Sequence, residues 1–262
     1  MDIFSISDLN GYIKIAALDH RTSLKKMLSV EEISKFKSLS VRMFEPYVSA
    51  VLLDPPYFEF KDITIQKPVL LSCEKSIYID SHEGRITQLN ERYPISKLKN
   101  MGASALKLLL YYNPDAPNKE NQIEVAKLVK LRAEKYNLPF LLEIVTYPIN
   151  ETQFNKSAAI EKSAWELWEY CDILKIEYPE DQSSLSSLKT LKVPWVLLSR
   201  GMPFAKYIEA LKLAKSIGGA KGFAVGRAVW QEIGNFKTWE EKELFIRNTA
   251  VKRMEEISRV FS

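Results

Sequence analysis

The chain has 262 residues, of which 46% are hydrophobic and 27% are charged, and its 37 basic and 33 acidic residues give a net charge of +4. This hydrophobic fraction excludes intrinsic disorder, and nine glycines with 12 prolines exclude collagen-like and low-complexity chains. The small, scattered positive charge is compatible with a small anionic substrate and gives no indication of nucleic-acid binding.

Eight short apolar runs, rich in Val, Ile, Leu and Tyr, predict β-strands along the chain. Most of them are continuous rather than alternating, which is typical of strands covered on both faces. In chain order they are Ile13–Asp19, Ser49–Asp54, Val69–Glu74, Ala105–Tyr112, Phe140–Thr146, Ile173–Tyr178, Trp195–Ser199 and Gly222–Gly226.

Segments with helical spacing lie between most of these strands. After the first strand, Ser29 is expected to cap a helix over Val30–Phe44, with Glu32 completing a capping box. The second and third connections, Pro55–Pro68 and Ser76–Tyr93, are different, because the first has little helical character and the second is long and polar. The other predicted helices are Ile95–Met101, Lys119–Tyr136, Ser157–Tyr170, Pro203–Ile217 and Trp239–Val260.

This alternation of strands and helices predicts βαβ units and a parallel sheet. Eight such strands in a chain of this length favour closure, so the predicted fold class is α/β, a single (β/α)8 TIM barrel. No composition shift marks a second domain, and residues 1–262 are therefore expected to form one barrel domain.

The cysteines and the hydropathy of the chain bear on its cellular setting. Cys73 lies in an apolar run and Cys171 just before one, so we expect buried, reduced thiols, as in the cytoplasm. No stretch approaches the roughly 20 apolar residues of a membrane span. The N-terminal segment also lacks the basic and apolar regions of a signal peptide. We therefore expect a cytoplasmic protein that does not bind membranes.

Three of the predicted strands carry a charge in their middle. Lys107 lies in SALKLLLYY, Glu143 in FLLEIVTY, and Lys175 in ILKIEYP, where Glu177 follows on the same strand face. Burying a charge is costly unless it is paired or faces a wet cavity. These strands are neighbours in a barrel, so the four side chains can converge inside it, near its top. One alternative is a purely structural ion-pair network, which is a weak stabilising device, and another is that the charged faces of these strands point outward to solvent.

Two lysines and carboxylates in a dry pocket suit Schiff-base chemistry. A lysine that is desolvated, or that lies beside another cation, is partly uncharged near pH 7 and can attack a carbonyl carbon. A nearby glutamate can carry protons during dehydration and carbon–carbon cleavage. The two histidines show no metal-ligand spacing, and the sequence has neither a Walker A motif nor a dinucleotide-binding glycine pattern. We therefore expect no metal and no cofactor.

Polar residues follow the first, seventh and eighth strands, at the end of the barrel where active sites form. After the first strand, Asp19 can hydrogen-bond substrate hydroxyls or cap the following turn, and Arg21 can hold a phosphate. The last two strands end in LLSRGM and AVGRAVW, where small residues let backbone amides approach an anion. The residues assigned to this anion site are Ser199, Gly201, Gly226 and Arg227.

Further motifs extend this pattern over most of the chain: ALDHR, SAVLLDP, EKSIY, MGASALKLLLYYNPD, PFLLEIVTY, DILKIEYP, LLSRG and VGRAVW. In these motifs and their order the chain resembles the tagatose 1,6-bisphosphate aldolase group of class I aldolases, which includes the bacterial sulfofructosephosphate aldolases. The resemblance implies that Lys175 is the Schiff-base lysine, that Glu143 relays protons and that Lys107 is a second active-site lysine. It also implies roles in binding substrate or phosphate for Asp19, Arg21, Ser199, Gly226 and Arg227.

Two residues depart from the family pattern where the substrate is recognised. His20 stands where the family usually has Gln, and Arg200 stands where it usually has Ala. Arg200 either adds an anion contact or pairs with a loop carboxylate, and the sequence favours neither. The chain is also shorter than a typical member, chiefly between Pro148 and Asp172. These departures bear on the identity of the sugar more than on the type of reaction.

We therefore expect a class I aldolase that cleaves a ketose 1,6-bisphosphate of the tagatose or fructose type to dihydroxyacetone phosphate and glyceraldehyde 3-phosphate. One alternative is an imine-forming enzyme for a sulfonated or other phosphorylated ketose, including a transaldolase. Another is a non-catalytic sugar-phosphate sensor. Such a sensor would be marked by loss of the lysine or the glutamate, whereas this chain retains both Lys175 and Glu143. The expected partner is a phosphorylated sugar, with no nucleic acid and no membrane, and association into a homo-oligomer is left open.

Overall fold

The computed structural model describes residues 2–149 and 153–262 of the chain. Residues 150–152, inside the interval where the chain was expected to be shortened, lie outside the described residues. The described strands are β1 (Ile13–Ala17), β2 (Ala50–Leu53), β3 (Val69–Ser72), β4 (Ile79–Ser81), β5 (Gly84–Ile86), β6 (Ala105–Tyr112), β7 (Phe140–Thr146), β8 (Ile173–Ile176), β9 (Trp195–Leu198) and β10 (Gly222–Val225).

Eight of these strands close into a parallel barrel in the order β1-β10-β9-β8-β7-β6-β3-β2. The predicted (β/α)8 barrel is thereby confirmed, and every predicted strand agrees with an observed one to within two residues at each end. The remaining two strands, β4 and β5, pair in an antiparallel hairpin within the long polar connection between β3 and β6. The sequence had predicted that connection to be long and polar but had not predicted a hairpin there.

The described α-helices are α1 (Val30–Phe44), α2 (Pro55–Glu59), α3 (Ile95–Asn100), α4 (Lys119–Lys135), α5 (Lys156–Leu167), α6 (Gln182–Ser187), α7 (Phe204–Ser216), α8 (Arg227–Trp230), α9 (Trp239–Phe245) and α10 (Val251–Arg259). Helix α1 begins as predicted, because the side chains and backbone amides of Ser29 and Glu32 bond reciprocally. The single terminal helix predicted over Trp239–Val260 is divided by a π-helical turn at Ile246–Ala250. No helix in the described ranges is long and apolar enough to cross a membrane.

The inside of the barrel is layered because side chains alternate along each strand. A buried apolar cluster fills the lower part of the barrel and is closed from below by Ile6 of the N-terminal segment. On three neighbouring strands this cluster contains Ala105, Leu141 and Ile173. Two residues further along the same strands lie Lys107, Glu143 and Lys175. The charges therefore begin where the apolar layer ends.

Close contact between the first and last barrel strands depends on Gly222. A Cβ atom at this position would lie 1.8 Å from the carbonyl oxygen of Ile13, and φ is +155°. We expect Gly222→Ala to lower the free energy of unfolding by about 2–4 kcal/mol, because strand pairing must shift to relieve the clash. Urea unfolding measures this effect.

Gly11→Ala is the matched control, because a Cβ there meets nothing within 4 Å and only its positive φ of +78° opposes the substitution. Its expected cost is about 1 kcal/mol. Equal effects of the two substitutions would contradict this account of the barrel seam.

Candidate functional site

A cavity of about 810 Å³ opens at the carboxyl ends of the barrel strands. Its volume is that of a typical small-molecule site. Ten of the eleven residues assigned from the sequence line it, and the eleventh, Gly201, lies against the Arg227 side chain. The ten are Asp19, His20, Arg21, Lys107, Glu143, Lys175, Ser199, Arg200, Gly226 and Arg227.

Lys107 lies at the centre of three carboxylates at the bottom of this cavity. Its Nζ is 2.7 Å from an oxygen of Glu74, 2.8 Å from one of Glu143 and 2.9 Å from one of Asp19. The Lys107 side chain is only 2% exposed, so these contacts replace its hydration. Three carboxylates that approach one another so closely are stable together because this ammonium group lies between them.

The protonation of the cluster follows from its geometry. Burial by itself lowers the pKa of Lys107, but the surrounding carboxylates raise that pKa well above its ordinary value. Burial raises the pKa of Asp19 and of Glu143, yet Lys107 and Lys175 more than reverse this and lower both values. At neutral pH Lys107 is therefore charged, and Asp19 and Glu143 are ionised.

Glu143 connects this cluster to Lys175. One of its oxygens accepts from Lys107, and the other lies 2.9 Å from the Nζ of Lys175. Lys175 and Glu143 are aligned in the register between β8 and β7, so they face the cavity at the same height. Lys107 is thus not a bare cation beside Lys175, because Glu143 lies between the two ammonium groups.

Glu74 is a member of the cluster that the sequence analysis did not single out. It is buried, one of its oxygens binds Lys107, and the other accepts from the backbone N–H of Leu109 at 3.2 Å. The sequence contains a signal for this position. Glu74 is a charged residue at the end of the apolar run Val69–Glu74, as Lys107 is a charged residue within the apolar run Ala105–Tyr112.

Glu177 is buried but does not line the cavity, contrary to the expected convergence of four charges. It follows the end of β8, where the two-residue alternation of side chains no longer holds. Its carboxylate accepts from the backbone and the hydroxyl of Thr146 at 2.7 and 2.8 Å, and it also lies 3.1 Å from Lys156. Its role is to join the ends of neighbouring strands.

Arg200 is held by this same carboxylate. Its Nη1 donates to Glu177 at 2.7 Å and to the backbone oxygen of Thr146 at 2.9 Å. The residue adopts a left-handed backbone conformation with φ of +46°, and its side chain still lines the cavity. One of the two roles considered from the sequence, pairing with a carboxylate, is thus observed, and the anion contact stays a prediction.

His20 lies beside Asp19 at the end of the first strand. Its ring packs edge-on against Trp230 at 5.0 Å, and its Nδ1 is 3.9 Å from an Asp19 oxygen. Burial lowers the His20 pKa to about 4, so the imidazole is neutral at pH 7. Gly226 permits this arrangement, because a Cβ there would lie 2.6 Å from the His20 ring.

The loops after β9 and β10 form the side of the cavity expected to hold an anion. Gly201, with φ of +79°, leaves room for the Arg227 guanidinium, which a Cβ would approach to 3.4 Å. Burial and the charge of Arg200 lower the pKa of Arg227, and within residues 2–149 and 153–262 its buried Nε has no hydrogen-bond partner. Such a guanidinium is suited to bind an anion. Ser199 lines the same side.

Arg21 is a further basic residue of the cavity wall. Arg21 lines the cavity from the end of β1, and its Nη2 donates to the backbone oxygen of Glu74 at 3.0 Å.

Over the part of the chain that the structure describes, no group of three or more His, Cys, Asp or Glu residues is arranged to hold a metal ion. At the bottom of the cavity, the ammonium group of Lys107 lies between the three carboxylates.

Comparison with known proteins supplies a family. The sequence model of the family described as "DeoC/LacD family aldolase" matches residues 13–232. A tagatose 1,6-diphosphate aldolase of Enterococcus faecalis is 28% identical, with 87% of this chain and 82% of that protein covered. One of Staphylococcus haemolyticus is 27% identical over 98% and 94%. A solved Schiff-base-forming fructose-1,6-bisphosphate aldolase shares the fold, with a TM-score of 0.75, 19% identity and coverage of 98% and 97%.

Removal of the central ammonium group tests the electrostatics of the cluster. We expect Lys107→Met to lower the free energy of unfolding at pH 7 by about 3–5 kcal/mol, because the buried carboxylates lose their main counter-charge. Burial then raises their pKa values, so the folded variant takes up protons and part of its stability returns as the pH falls from 7 to 5. In the wild type, where the pKa values of Asp19 and Glu143 are lowered, stability instead falls with acidification below pH 4 to 5.

Thermal unfolding at several pH values measures these opposite trends. Lys127→Met is the control, since Lys127 forms an exposed ion pair with Glu124 and lies 5.2 Å from the ring centre of Tyr170, and its loss should change stability by less than about 1 kcal/mol. Parallel pH profiles for the wild type and Lys107→Met would contradict the assigned charges.

Proposed function

The chain belongs to the DeoC/LacD family of aldolases, and from this premise we propose that it cleaves a ketose 1,6-bisphosphate by way of a lysine imine. The proposed substrate is of the tagatose or fructose type, and the products are dihydroxyacetone phosphate and glyceraldehyde 3-phosphate. The relatives that carry the name tagatose 1,6-diphosphate aldolase support this class of substrate. The ordered pairing of Lys107, Glu143 and Lys175 in the cavity is the observation that carries the proposal.

The two buried lysines differ in how their charge is compensated. Lys107 contacts three carboxylates, whereas Glu143 is the carboxylate that contacts Lys175 in the described part of the chain. Lys107 therefore stays protonated, and Lys175 can pass a proton to Glu143 and become a nucleophile. We accordingly assign Lys175 as the residue that attacks the substrate.

In the proposed first stage, the uncharged amine of Lys175 attacks C2 of the ketose. Proton shifts through Glu143 give a neutral carbinolamine, and Glu143 then protonates its hydroxyl group, which leaves as water. The product of this stage is a protonated imine between C2 and Lys175. Its positive nitrogen can accept an electron pair from the substrate.

In the second stage, the Glu143 carboxylate takes the proton of the C4 hydroxyl. The C3–C4 bond breaks, its electron pair moves toward the imine nitrogen, and glyceraldehyde 3-phosphate leaves as the aldehyde product. The remaining enamine is protonated at C3 by Glu143. Water then adds at C2 and releases dihydroxyacetone phosphate together with the free amine of Lys175.

The residues around this pair orient the substrate in the proposal. Lys107 holds Glu143 in place between the two lysines, so that one carboxylate oxygen stays directed at Lys175. The Asp19 carboxylate accepts hydrogen bonds from substrate hydroxyls, and the neutral His20 ring lies beside it. Ser199 lines the phosphate-binding side with Gly201, Gly226 and Arg227.

The setting of the enzyme is also a proposal. Cys73 and Cys171 are buried and free, which supports a reducing compartment such as the cytoplasm. We propose that residues 1–262 act as one domain on a phosphorylated sugar, without nucleic acid or membrane as a partner.

Trapping of the imine tests the nucleophile directly. The protein is incubated with dihydroxyacetone phosphate, reduced with sodium borohydride and analysed by intact and peptide mass. We expect an adduct on the peptide that contains Lys175, and no adduct in Lys175→Met, because that side chain has no amine. Lys162→Met, at an exposed ion pair with Asp115, is the control and should be trapped like the wild type. Full trapping in Lys175→Met would refute the assignment.

The phosphate-binding role of Arg227 is tested by steady-state kinetics. We expect Arg227→Met to raise KM for the ketose bisphosphate by about 10- to 100-fold and to change kcat much less, because charge-assisted contacts to a phosphate bind substrate and transition state alike. Arg259→Met, which removes an exposed guanidinium on the terminal helix, should leave both constants unchanged. A fall in kcat with an unchanged KM would instead place Arg227 at the reacting atoms.

A further inference from the structure

Hairpin β4–β5 places Arg85 at the mouth of the cavity among three tyrosines. The guanidinium carbon lies 4.7 Å from the ring centres of Tyr78 and Tyr147, and 5.5 Å from that of Tyr111. Arg85, Tyr78 and Tyr111 all line the cavity. Contacts with aromatic rings orient the planar guanidinium and leave its N–H groups available for hydrogen bonds.

The backbone around Arg85 is fixed to the barrel. Its N–H donates to the Tyr147 hydroxyl at 2.9 Å, and its carbonyl accepts from the Asn118 side chain at 3.0 Å. The preceding Gly84 has a φ of +133°, and a Cβ there would lie 2.4 Å from the Tyr147 hydroxyl and 2.5 Å from Asn118. Only glycine permits this close approach, so the hairpin holds Arg85 in a defined place.

The charge of Arg85 is weakly compensated. In the ranges that the structure describes, its ion-pair partner is Asp80, whose side chain is 75% exposed and lies 3.5 Å from Nε. Such an exposed contact contributes little. Arg200, by contrast, is bonded to the buried Glu177 at 2.7 Å. Arg85 therefore resembles Arg227 in being a cavity-lining guanidinium suited to bind a further anion.

Strand order places these two arginines on opposite sides of the barrel. Tyr111, on which Arg85 packs, belongs to β6, and Arg227 follows β10, which is four strands away in a ring of eight. Lys175, on β8, lies halfway between them in this ring. A ligand bound to Lys175 can thus extend from it toward one arginine in each direction around the ring.

Height along the barrel axis distinguishes the two ends. Glu143, which is aligned with Lys175 of β8, is also aligned with Leu109 of β6, and Tyr111 lies two residues further along that strand, a rise of about 7 Å. Arg85, which packs on Tyr111, therefore lies above the reacting lysine, near the mouth. In a ketose bisphosphate bound through C2, the phosphate on C1 must stay close to the lysine, whereas the phosphate on C6 lies at the far end of the carbon chain.

We propose that Arg85, oriented by Tyr78, Tyr111 and Tyr147, forms a second anion subsite that binds the terminal phosphate of the substrate. The assignment of the terminal phosphate rests on the proposed function, and it makes Arg85 a residue that determines specificity for bisphosphates over monophosphates.

Binding of hexitol phosphates tests this subsite without requiring imine formation, because a hexitol has no carbonyl group. Isothermal titration compares a hexitol 1,6-bisphosphate with the hexitol 1-phosphate, on the wild type and on Arg85→Met. We expect Arg85→Met to weaken binding of the bisphosphate by about 10- to 100-fold. Binding of the 1-phosphate should be unchanged, since that ligand has no terminal phosphate.

Two further variants provide the controls. Arg92→Met removes an exposed arginine that packs on Tyr93 outside the cavity, and it should bind both ligands like the wild type. Arg85→Lys keeps the charge without the planar fork and should give an intermediate affinity for the bisphosphate. Equal weakening of both ligands in Arg85→Met, or no weakening of either, would overturn the proposed subsite.

Borohydride trapping separates this result from the proposed function. If the wild type forms no imine with dihydroxyacetone phosphate but Arg85→Met selectively loses the bisphosphate, the reaction assignment fails and the anion subsite is supported. If the wild type is trapped on Lys175 and Arg85→Met binds the bisphosphate normally, the reaction assignment is supported and the subsite is overturned.

Discussion

A buried ammonium group, that of Lys107, brings together carboxylates from three other parts of the barrel. Asp19 follows β1, Glu74 follows β3, and Glu143 lies on β7, and each has an oxygen within 2.9 Å of the Lys107 Nζ. Together with Lys175, this ammonium group lowers the pKa values of Asp19 and Glu143, which burial by itself would raise. The position of Glu143, and through it that of Lys175, therefore depends on Lys107. The chemistry proposed for the site rests on this one arrangement of charges.

The same arrangement gives the two lysines different tasks. Three carboxylates hold Lys107 in its charged form, as the raised pKa indicates. Lys175 contacts Glu143 alone among the described carboxylates, so one proton transfer makes it a nucleophile. Glu143 remains hydrogen-bonded to Lys107 throughout, and this contact fixes its orientation while it exchanges protons with the substrate. This unequal distribution of carboxylates, three at Lys107 and one at Lys175, favours a catalytic role over a purely structural network.

Charge is also distributed unevenly over the cavity. The carboxylates lie at the bottom with Lys107, whereas the guanidinium groups of Arg21, Arg85 and Arg227 lie around the sides. A ligand with hydroxyl groups in its middle and phosphates at its ends matches this distribution. Arg200 also lines the cavity, and its bonds to Glu177 and to the backbone of Thr146 join it to the ends of the strands.

The sequence by itself determined the barrel and the inward-facing charges on its strands. Strand periodicity is a local property, so Lys107, Glu143 and Lys175 could be assigned to neighbouring strands from spacing, and the motifs of the family indicated their roles. What lies beyond the strand ends was decided by tertiary structure. Glu177 lies outside the cavity because the alternation of side chains ends with β8. Glu74 belongs to the cluster because its carboxylate, just after the end of β3, contacts Lys107. Arg85 reaches the mouth of the cavity because the backbone of its hairpin is bonded to Tyr147. These positions depend on contacts between residues far apart in the chain, which no local pattern encodes.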